Sequence, residues 1–193
     1  LVAQSIRLPN NNTTGIDRFG SNAYFNTYSD RAGVNASSLL GDVAFGSNVS
    51  NIESSVLGLD NAVTTSYRYH PGTLNLLSNN GDINIVKDVQ LLPSAIGQLS
   101  LLAANDINIT ASRINMSDAD PLSLPSIKSP LNSSFFRTSI AAQLNTHAQQ
   151  LLHGNSLDPV LIVADKGNIQ LNTNSSTIDL PKFATVFAGN DID

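Results

Sequence analysis

Residues 74–85, LNLLSNNGDINI, contain the pattern that decides the fold of this chain. Apolar Leu74 and Leu76 are separated by a polar residue, and the same alternation of apolar and polar residues resumes at Ile83 and Ile85. This period of two predicts two short β-strands, each with one apolar face. The intervening sequence SNNGD is rich in turn-forming residues, so the two strands are predicted to meet at a corner.

Four other segments carry the same pattern. In each complete copy, an apolar residue is followed seven positions later by Gly and eight positions later by Asp or Asn. One copy is a residue shorter, with Asn105 in the place of the Gly, and the last copy is shorter again. Leu74 and Leu99 begin successive copies 25 residues apart, a typical length for one repeat of a stacked repeat protein. The four segments are 34–45 (VNASSLLGDVAF), 99–109 (LSLLAANDINI), 160–171 (VLIVADKGNIQL) and 186–193 (VFAGNDID).

A repeat made of strand, corner and strand predicts that successive copies stack on one another. One copy cannot bury its own apolar face, so copies are expected to pack with parallel strands about 4.8 Å apart and apolar columns inside. We therefore predict an all-β fold, a parallel β-helix; a β-sandwich stays open as an alternative. At the corner we predict a positive φ at Gly81, so Gly81→Val is expected to be destabilising.

Two stretches interrupt the repeat and are predicted to be insertions, 9–33 and 113–158. The second begins with three prolines, which exclude a continuous strand or helix there. From Phe135 to Leu152 the apolar residues then change to helical spacing, with Gly154 as a C-terminal stop. This predicts one inserted amphipathic helix on a flank of the stacked strands. The apolar positions are Phe136, Ile140, Leu144, Ala148 and Leu151.

Composition excludes several classes of protein. The 193 residues are enough for a single domain, 1–193, which we expect to be cut from a longer chain. Only 13% of residues are charged and the ten basic ones are scattered, so no nucleic-acid partner is predicted. No apolar run reaches the length of a membrane helix, so no membrane insertion is expected. Cysteine is absent, which excludes disulfides and thiolate metal sites.

The order of several phrases resembles one known family, the filamentous-haemagglutinin-like large exoproteins of two-partner secretion, of the haem-utilisation or adhesion type. The phrases that match do not include the amino-terminal secretion domain that such proteins carry. The resemblance covers most of the chain. The phrases are NTYSDRAGVNASSLLGDV at 26–43, LLPSAIGQLSLLAANDINI at 91–109, MSDADP at 116–121, PVLIVADKGNIQL at 159–171 and LPKFATVFAGNDI at 180–192.

The resemblance implies both a fold and a function. The fold is a right-handed parallel β-helix. The implied function is that of a structural or adhesive segment of a secreted bacterial surface protein, which mediates cell adhesion or contact. The implied partners are an outer-membrane transporter for the full-length protein and a receptor or glycan on a host or neighbouring cell. We therefore expect a protein at the bacterial cell surface rather than an enzyme.

The acidic and amide residues of the corners are candidate calcium ligands. Calcium-binding β-rolls, however, repeat every nine residues with paired glycines, and the spacing here is far longer. We therefore predict that these side chains bond to the backbone of their own turns, and that the chain holds no metal or cofactor. The residues are Asp42, Asp82, Asp106, Asn168 and Asp191.

A β-helix enzyme that processes polysaccharides is the alternative function. Such hydrolases need carboxylates that converge on one groove. Asp118 and Asp120 are an isolated acidic pair, which favours a loop or turn. His70, His147 and His153 lack a second ligand at metal spacing, which favours solvated or capping roles.

Five aromatic residues form the candidate ligand-binding set. Exposed aromatic side chains often stack on sugars at recognition sites, although packing in the core or at an edge is an equally natural role. The residues are Tyr24, Phe25, Tyr28, Tyr67 and Tyr69. Recognition is further expected to lie in the two insertions, because repeated corners present nearly the same surface in every copy.

Overall fold

The computed structural model describes residues 28–47, 69–124, 144–171 and 176–193, together with four short strands at 6–9, 16–19, 23–26 and 131–132. The described chain is mostly β, with parallel sheets and almost no helix. The expectation of an all-β fold with parallel strands is therefore confirmed.

Seventeen short strands and one 3-10 helix, Pro121–Ser123, make up the described secondary structure. The strands are β1 (Ile6–Pro9), β2 (Ile16–Phe19), β3 (Ala23–Asn26), β4 (Gly33–Ser38), β5 (Val43–Ser47), β6 (Tyr69–His70), β7 (Thr73–Ser78), β8 (Ile83–Ile85), β9 (Val89–Leu91), β10 (Gln98–Ala103), β11 (Ile107–Ile109), β12 (Arg113–Met116), β13 (Leu131–Asn132), β14 (Val160–Ala164), β15 (Ile169–Leu171), β16 (Thr177–Asp179) and β17 (Ala184–Ala188).

Three of the four sheets are parallel and take one strand from each successive repeat. Sheet one has the order β17-β14-β10-β7-β4, sheet two β1-β5-β8-β11-β15, and sheet three β16-β12-β9-β6. The chain therefore passes from sheet one to sheet two to sheet three and then returns to sheet one, as in β7, β8, β9 and β10. The fourth sheet, β13-β3-β2, is small and antiparallel.

The predicted copies lie side by side in the register that their sequences indicate. Leu74 pairs with Val34 on one side and with Leu99 on the other, in sheet one. In sheet two, Ile107 pairs with Ile83 and Ile169. The last copy adds β17 beside β14, and Ile192 forms an isolated parallel bridge to Ile169.

The alternation of apolar residues produces one continuous core. In β7 and β10 the burial alternates along the strand, with every second side chain fully enclosed. Leu76, Leu101 and Ile162 occupy one column across three strands, and each is at most 1% exposed. Columns from all three parallel sheets join in a single cluster, so each repeat buries its apolar face against its neighbours.

Outward-facing amides pair between neighbouring repeats on the surface. The side-chain amide of Asn75 donates to the Oδ1 of Asn35 (2.8 Å) in sheet one. Asn108 donates to Asn84 in the same way (3.0 Å) in sheet two. These bonds join equivalent positions of adjacent strands, so the abundant asparagine of this chain adds side-chain ladders to the backbone ladders.

The corner residues bond to the next repeat rather than to their own turn, which corrects the expectation. Oδ1 of Asp42 accepts the backbone N–H of Asp82 (2.8 Å), and Oδ1 of Asp82 accepts that of Asp106 (3.1 Å). Oδ1 of Asp106 accepts the N–H of Asn168 (2.7 Å), and Oδ1 of Asn168 accepts that of Asp191 (3.1 Å). This series, the corner ladder, links five successive corners.

The positive φ expected at Gly81 is wrong. Among the described glycines, the left-handed conformation is found at Gly46, whose φ is 80°. A Cβ at Gly81 would instead lie 2.5 Å from Oδ1 of Asp42 and 2.7 Å from the carbonyl carbon of Gly41. Glycine is required there because the corner of the preceding repeat leaves no space for a side chain.

The inserted helix is not seen in the described residues. Residues 145–152 form turns and irregular backbone, and 133–143 lie outside the described residues. The backbone groups of this segment bond to the strands instead: the N–H of Ala148 donates to the carbonyl of Asp118 (3.1 Å). Leu144 alone of the described residues in this stretch has helical backbone and is buried, whereas Leu151 is 74% exposed, so the described residues do not continue the apolar stripe as a helix face to Leu151.

The two predicted insertions meet in the small antiparallel sheet. Leu131 pairs with Tyr24, and Asn132 pairs with Ala23. Strands β2 and β3 of the first insertion pair with each other as well. The stretch 113–116 is not inserted, since it forms β12 of sheet three.

We expect Asp106→Ala to lower the free energy of unfolding by about 2 kcal/mol, because the carboxylate accepts the Asn168 N–H from a partly buried position. Asp106→Asn keeps an oxygen acceptor and should recover most of the loss. Asp165→Ala, at an exposed position of a neighbouring corner, is the control. Equal losses for Asp106→Ala and Asp165→Ala in urea unfolding would remove the stabilising role of the corner ladder.

Candidate functional site

Residues 144–159, the docked segment, pack against the end of sheet three. Leu144 is 2% exposed, and its carbonyl accepts the hydroxyl of the buried Ser117 (2.7 Å). The side-chain amide of Asn115 donates to Asn145 (3.3 Å). Ser117 follows directly after β12, so the segment is fixed at the point where the chain leaves the stacked strands.

The other end of the docked segment is fixed to sheet one. The side-chain amide of Gln98, at the start of β10, donates to the carbonyl of Pro159. The ammonium of Lys182, just before β17, donates to Oε1 of Gln98 (2.6 Å), to the carbonyl of Gly97 (3.2 Å) and to the hydroxyl of Ser156 (3.3 Å). Burial lowers the pKa of Lys182, while the nearby Asp158 acts in the opposite direction.

A groove of about 690 Å³ lies between the docked segment and the outer side of sheet one. Apolar side chains form part of its wall, including Leu161 of β14 and the exposed Ile96 and Leu151. Asp158 and Lys182 are its charged groups. An open groove with an apolar wall and a few polar groups is suited to binding an extended ligand. We call it the flank groove.

Asp118 and His147 form a close pair beside the docked segment. The Nδ1 of His147 lies 2.8 Å from each carboxylate oxygen of Asp118. The Asp118 side chain is 12% exposed and the imidazole 81% exposed. Asp120 does not join them, because its carboxylate caps the 3-10 helix by accepting the N–H of Leu122 (2.9 Å). The two aspartates therefore do not converge on one groove.

His153 lies in the middle of the docked segment and is 5% exposed. Neither of its ring nitrogens has a hydrogen-bond partner in the part of the chain that the structure describes. Burial lowers its pKa, the positive charge of Lys182 lowers it further, and the carboxylate of Asp118 raises it. His153 is therefore an enclosed imidazole whose surroundings favour the neutral form, and the solvated or capping role expected for it is wrong.

His70 is also buried, at 6% exposed, and its ring centroid lies 4.9 Å from that of Phe45. It occupies the inner column of sheet three beside Leu91. An aromatic contact in the core explains this position, and His70 is therefore not solvated as expected.

Within the described residues, the five candidate aromatic residues are not seen to form one platform. Tyr24 and Phe25 are consecutive residues of β3, and Tyr69 begins β6. Tyr28 is half-buried just after β3, and Tyr67 lies outside the described residues. Stacking on sugars by this set stays a prediction.

The flank groove was missed at the sequence level because its polar residues come from distant segments. Gln98, Asp158 and Lys182 carry no shared motif. One local signal existed: in VLIVA, 160–164, the outward positions Leu161 and Val163 are apolar as well, which indicates a strand partly covered on both faces.

No group of three or more potential metal ligands is found within the described ranges. Likewise, none of the helices in the described part of the chain is long and apolar enough to cross a membrane.

Comparison with family models, curated proteins and solved structures gives no match to this chain.

Proposed function

We propose that this chain is a structural and adhesive segment of a secreted bacterial surface protein of the filamentous-haemagglutinin type, and that it binds a cell-surface receptor or glycan in the flank groove. The observation that carries the proposal is the groove itself, which lies where the docked segment interrupts an otherwise repetitive stack. Repeats alone present a monotonous surface, and the interruption supplies a distinct one.

The finer form of the fold is part of this proposal: a right-handed parallel β-helix. Two features support it. Successive repeats add strands to the three parallel sheets in the same cyclic order, β7-β8-β9 and then β10-β11-β12. The corner ladder joins equivalent residues of each repeat, as expected where coils stack in register. Right-handed connection is the general rule for parallel strands joined through a crossover.

A stacked repeat fold is suited to adhesion because its stability accumulates along the chain. Each repeat depends mainly on its neighbours, so many repeats can hold a binding surface far from the cell that secretes them. We propose export through a dedicated outer-membrane transporter and a location at the bacterial cell surface. The resemblance of the sequence phrases supports both.

A polysaccharide-processing enzyme is the second candidate, and the Asp118–His147 pair is the observation that favours it. A buried carboxylate bound to Nδ1 orients an imidazole whose Nε2 can act as a base. Turnover of an acidic polysaccharide that is abolished by Asp118→Asn would favour the enzyme. We expect no turnover, because no second carboxylate of the described chain is placed beside this pair.

Binding to a glycan array and to intact host cells tests the adhesive function. We expect Leu151→Asp and Ile96→Asp to weaken binding about tenfold each, because both side chains form the apolar wall of the flank groove. Leu122→Asp is the matched control, since Leu122 is 92% exposed and lies outside the groove. Unchanged binding in both groove variants, or the same loss in the control, would contradict the proposed site.

A further inference from the structure

The docked segment is fixed at two points, and His153 is enclosed between them. On one side, Asp118 bonds to the ring of His147 and to the N–H of Ala148. On the other side, Lys182 bonds to Ser156. The carbonyl of His153 accepts the N–H of Ser156 (2.9 Å), so the imidazole and the second fixed point belong to the same turn.

We propose that His153 is an acid-sensitive latch: protonation of its enclosed ring releases residues 144–159 and removes the wall that they give to the flank groove. The inference concerns regulation of the binding site and, for its consequence on ligand binding, rests on the proposed function. Leu151, Asn155 and Asp158 belong to the docked segment and line the groove, so release of the segment changes the groove directly.

The surroundings of His153 suit a neutral ring and not a charged one. A protonated imidazole has two N–H donors, and neither ring nitrogen has a partner in the described residues. Enclosing an unpaired charge is costly, so the charged ring favours the released segment in which water reaches it. Because burial favours the neutral ring, docking of the segment depends on the protonation state of His153.

The neighbouring charges act in different directions. Lys182 repels a charged His153, while Asp118 attracts it. The Asp118 carboxylate is already bonded by His147, and Asp158 from the docked segment faces Lys182. The contact between His147 and Asp118 also holds the docked segment and opposes its release. The latch requires the enclosure of His153 to outweigh these attractions.

The sign of the pH dependence follows from the lowered pKa of His153. In the released segment the ring is solvated and titrates near its ordinary pKa of 6.5. Docking is thus fully stable above that pH, weakens as the pH falls below it, and stops weakening once the docked ring is protonated too.

Hydrogen exchange of the whole chain between about pH 7.5 and about pH 5 tests the latch. Protection factors, which are corrected for the intrinsic pH dependence of exchange, are measured for the amides of Ala148, Gly154 and Ser156. We expect them to fall by up to about tenfold per pH unit below the ordinary pKa, while those of β10 stay constant. Constant protection in the docked segment would overturn the proposal.

His153→Phe keeps a ring of similar size and removes the titration, so its protection should not depend on pH. His147→Ala is the control: it should lower protection at every pH and keep the dependence. The same pH-dependent loss in His153→Phe would overturn the latch. If His153→Phe does not fold, the NMR titration of the His153 ring decides, and titration at or above pH 6.5 would overturn it.

Cell and glycan binding measured at the same two pH values separates the latch from the adhesive function. Binding that differs between about pH 7.5 and about pH 5 in the wild type, and not in His153→Phe, supports regulation of the groove. Absence of binding at both pH values contradicts the adhesive function, while the exchange data still decide the latch.

Discussion

Gly81→Val is expected to lower the free energy of unfolding by about 2 to 3 kcal/mol. The closest atoms to an added Cβ are Oδ1 of Asp42, at 2.5 Å, and the carbonyl carbon of Gly41, at 2.7 Å. The second is a backbone atom of the preceding corner and cannot move by side-chain rotation. The corner must therefore shift as a whole, and the bond between Asp42 and the N–H of Asp82 is lost with it.

Gly81→Asn separates the two physical reasons for a glycine at this position. Asparagine tolerates a positive φ, so a requirement for left-handed backbone would leave Gly81→Asn nearly as stable as the wild type. Lack of space predicts a loss similar to that of Gly81→Ala. Gly154→Ala is the control, because the nearest atom there, 3.2 Å away, belongs to the exposed side chain of Leu151. Equal melting temperatures for Gly81→Ala and the wild type would contradict the close approach.

The strands of the repeat could be predicted because their signal is local. Alternation at Leu74 and Leu76, a turn sequence, and alternation at Ile83 and Ile85 are contained in twelve residues. Repetition of the pattern then fixed which strands are neighbours, since equivalent residues of stacked copies pair with each other.

The helical spacing from Phe136 to Leu151 was a local signal as well, and it did not predict the described structure. Periodicity says only which side chains could share a face. Over 145–152, the segment forms bonds to Asp118 and Asn115. A helix would have to give up these partners. Asparagine and threonine at 145 and 146 are also poor helix formers, so tertiary contacts outweigh a weak local preference.

The corner ladder shows why the sequence pattern identified the corner residues correctly but predicted the wrong hydrogen-bond partners for them. An aspartate in a turn usually accepts an N–H two residues further along the chain. Here the N–H of the next repeat lies within hydrogen-bond distance, because the strands on both sides of the corner are in register. Asp106 thus bonds to Asn168, 62 residues away, a partner that no local pattern indicates.

The flank groove is formed entirely by contacts between segments that are far apart in the sequence. Lys182 joins Gln98 and Ser156, which are 84 and 26 residues away. The sequence predicted a solvated or capping role for His153, which lies just beyond the end of the predicted helix. Once the segment docks without a helix, the same ring becomes enclosed, and its pKa is lowered by that enclosure. The chemistry of the site is thus a consequence of docking and not of the residue type alone.

Leu101→Ala is expected to lower the free energy of unfolding by about 3 to 4 kcal/mol, whereas Leu102→Ala should cost less than about 1 kcal/mol. The two residues are consecutive in β10 and lose the same atoms, so they differ only in the face that they occupy. Leu101 is 0% exposed in the column between Leu76 and Ile162. Leu102 is half-buried on the outer side, between Leu77 and Val163.

Urea unfolding of the two variants measures this difference. Stacked repeats cannot easily close a cavity in the column, because each strand is held at a fixed distance from both neighbours by backbone hydrogen bonds. The cost at Leu101 should therefore lie well above that of transferring the removed atoms alone. Similar losses for the two variants would mean that the outer side of sheet one is covered as completely as the core.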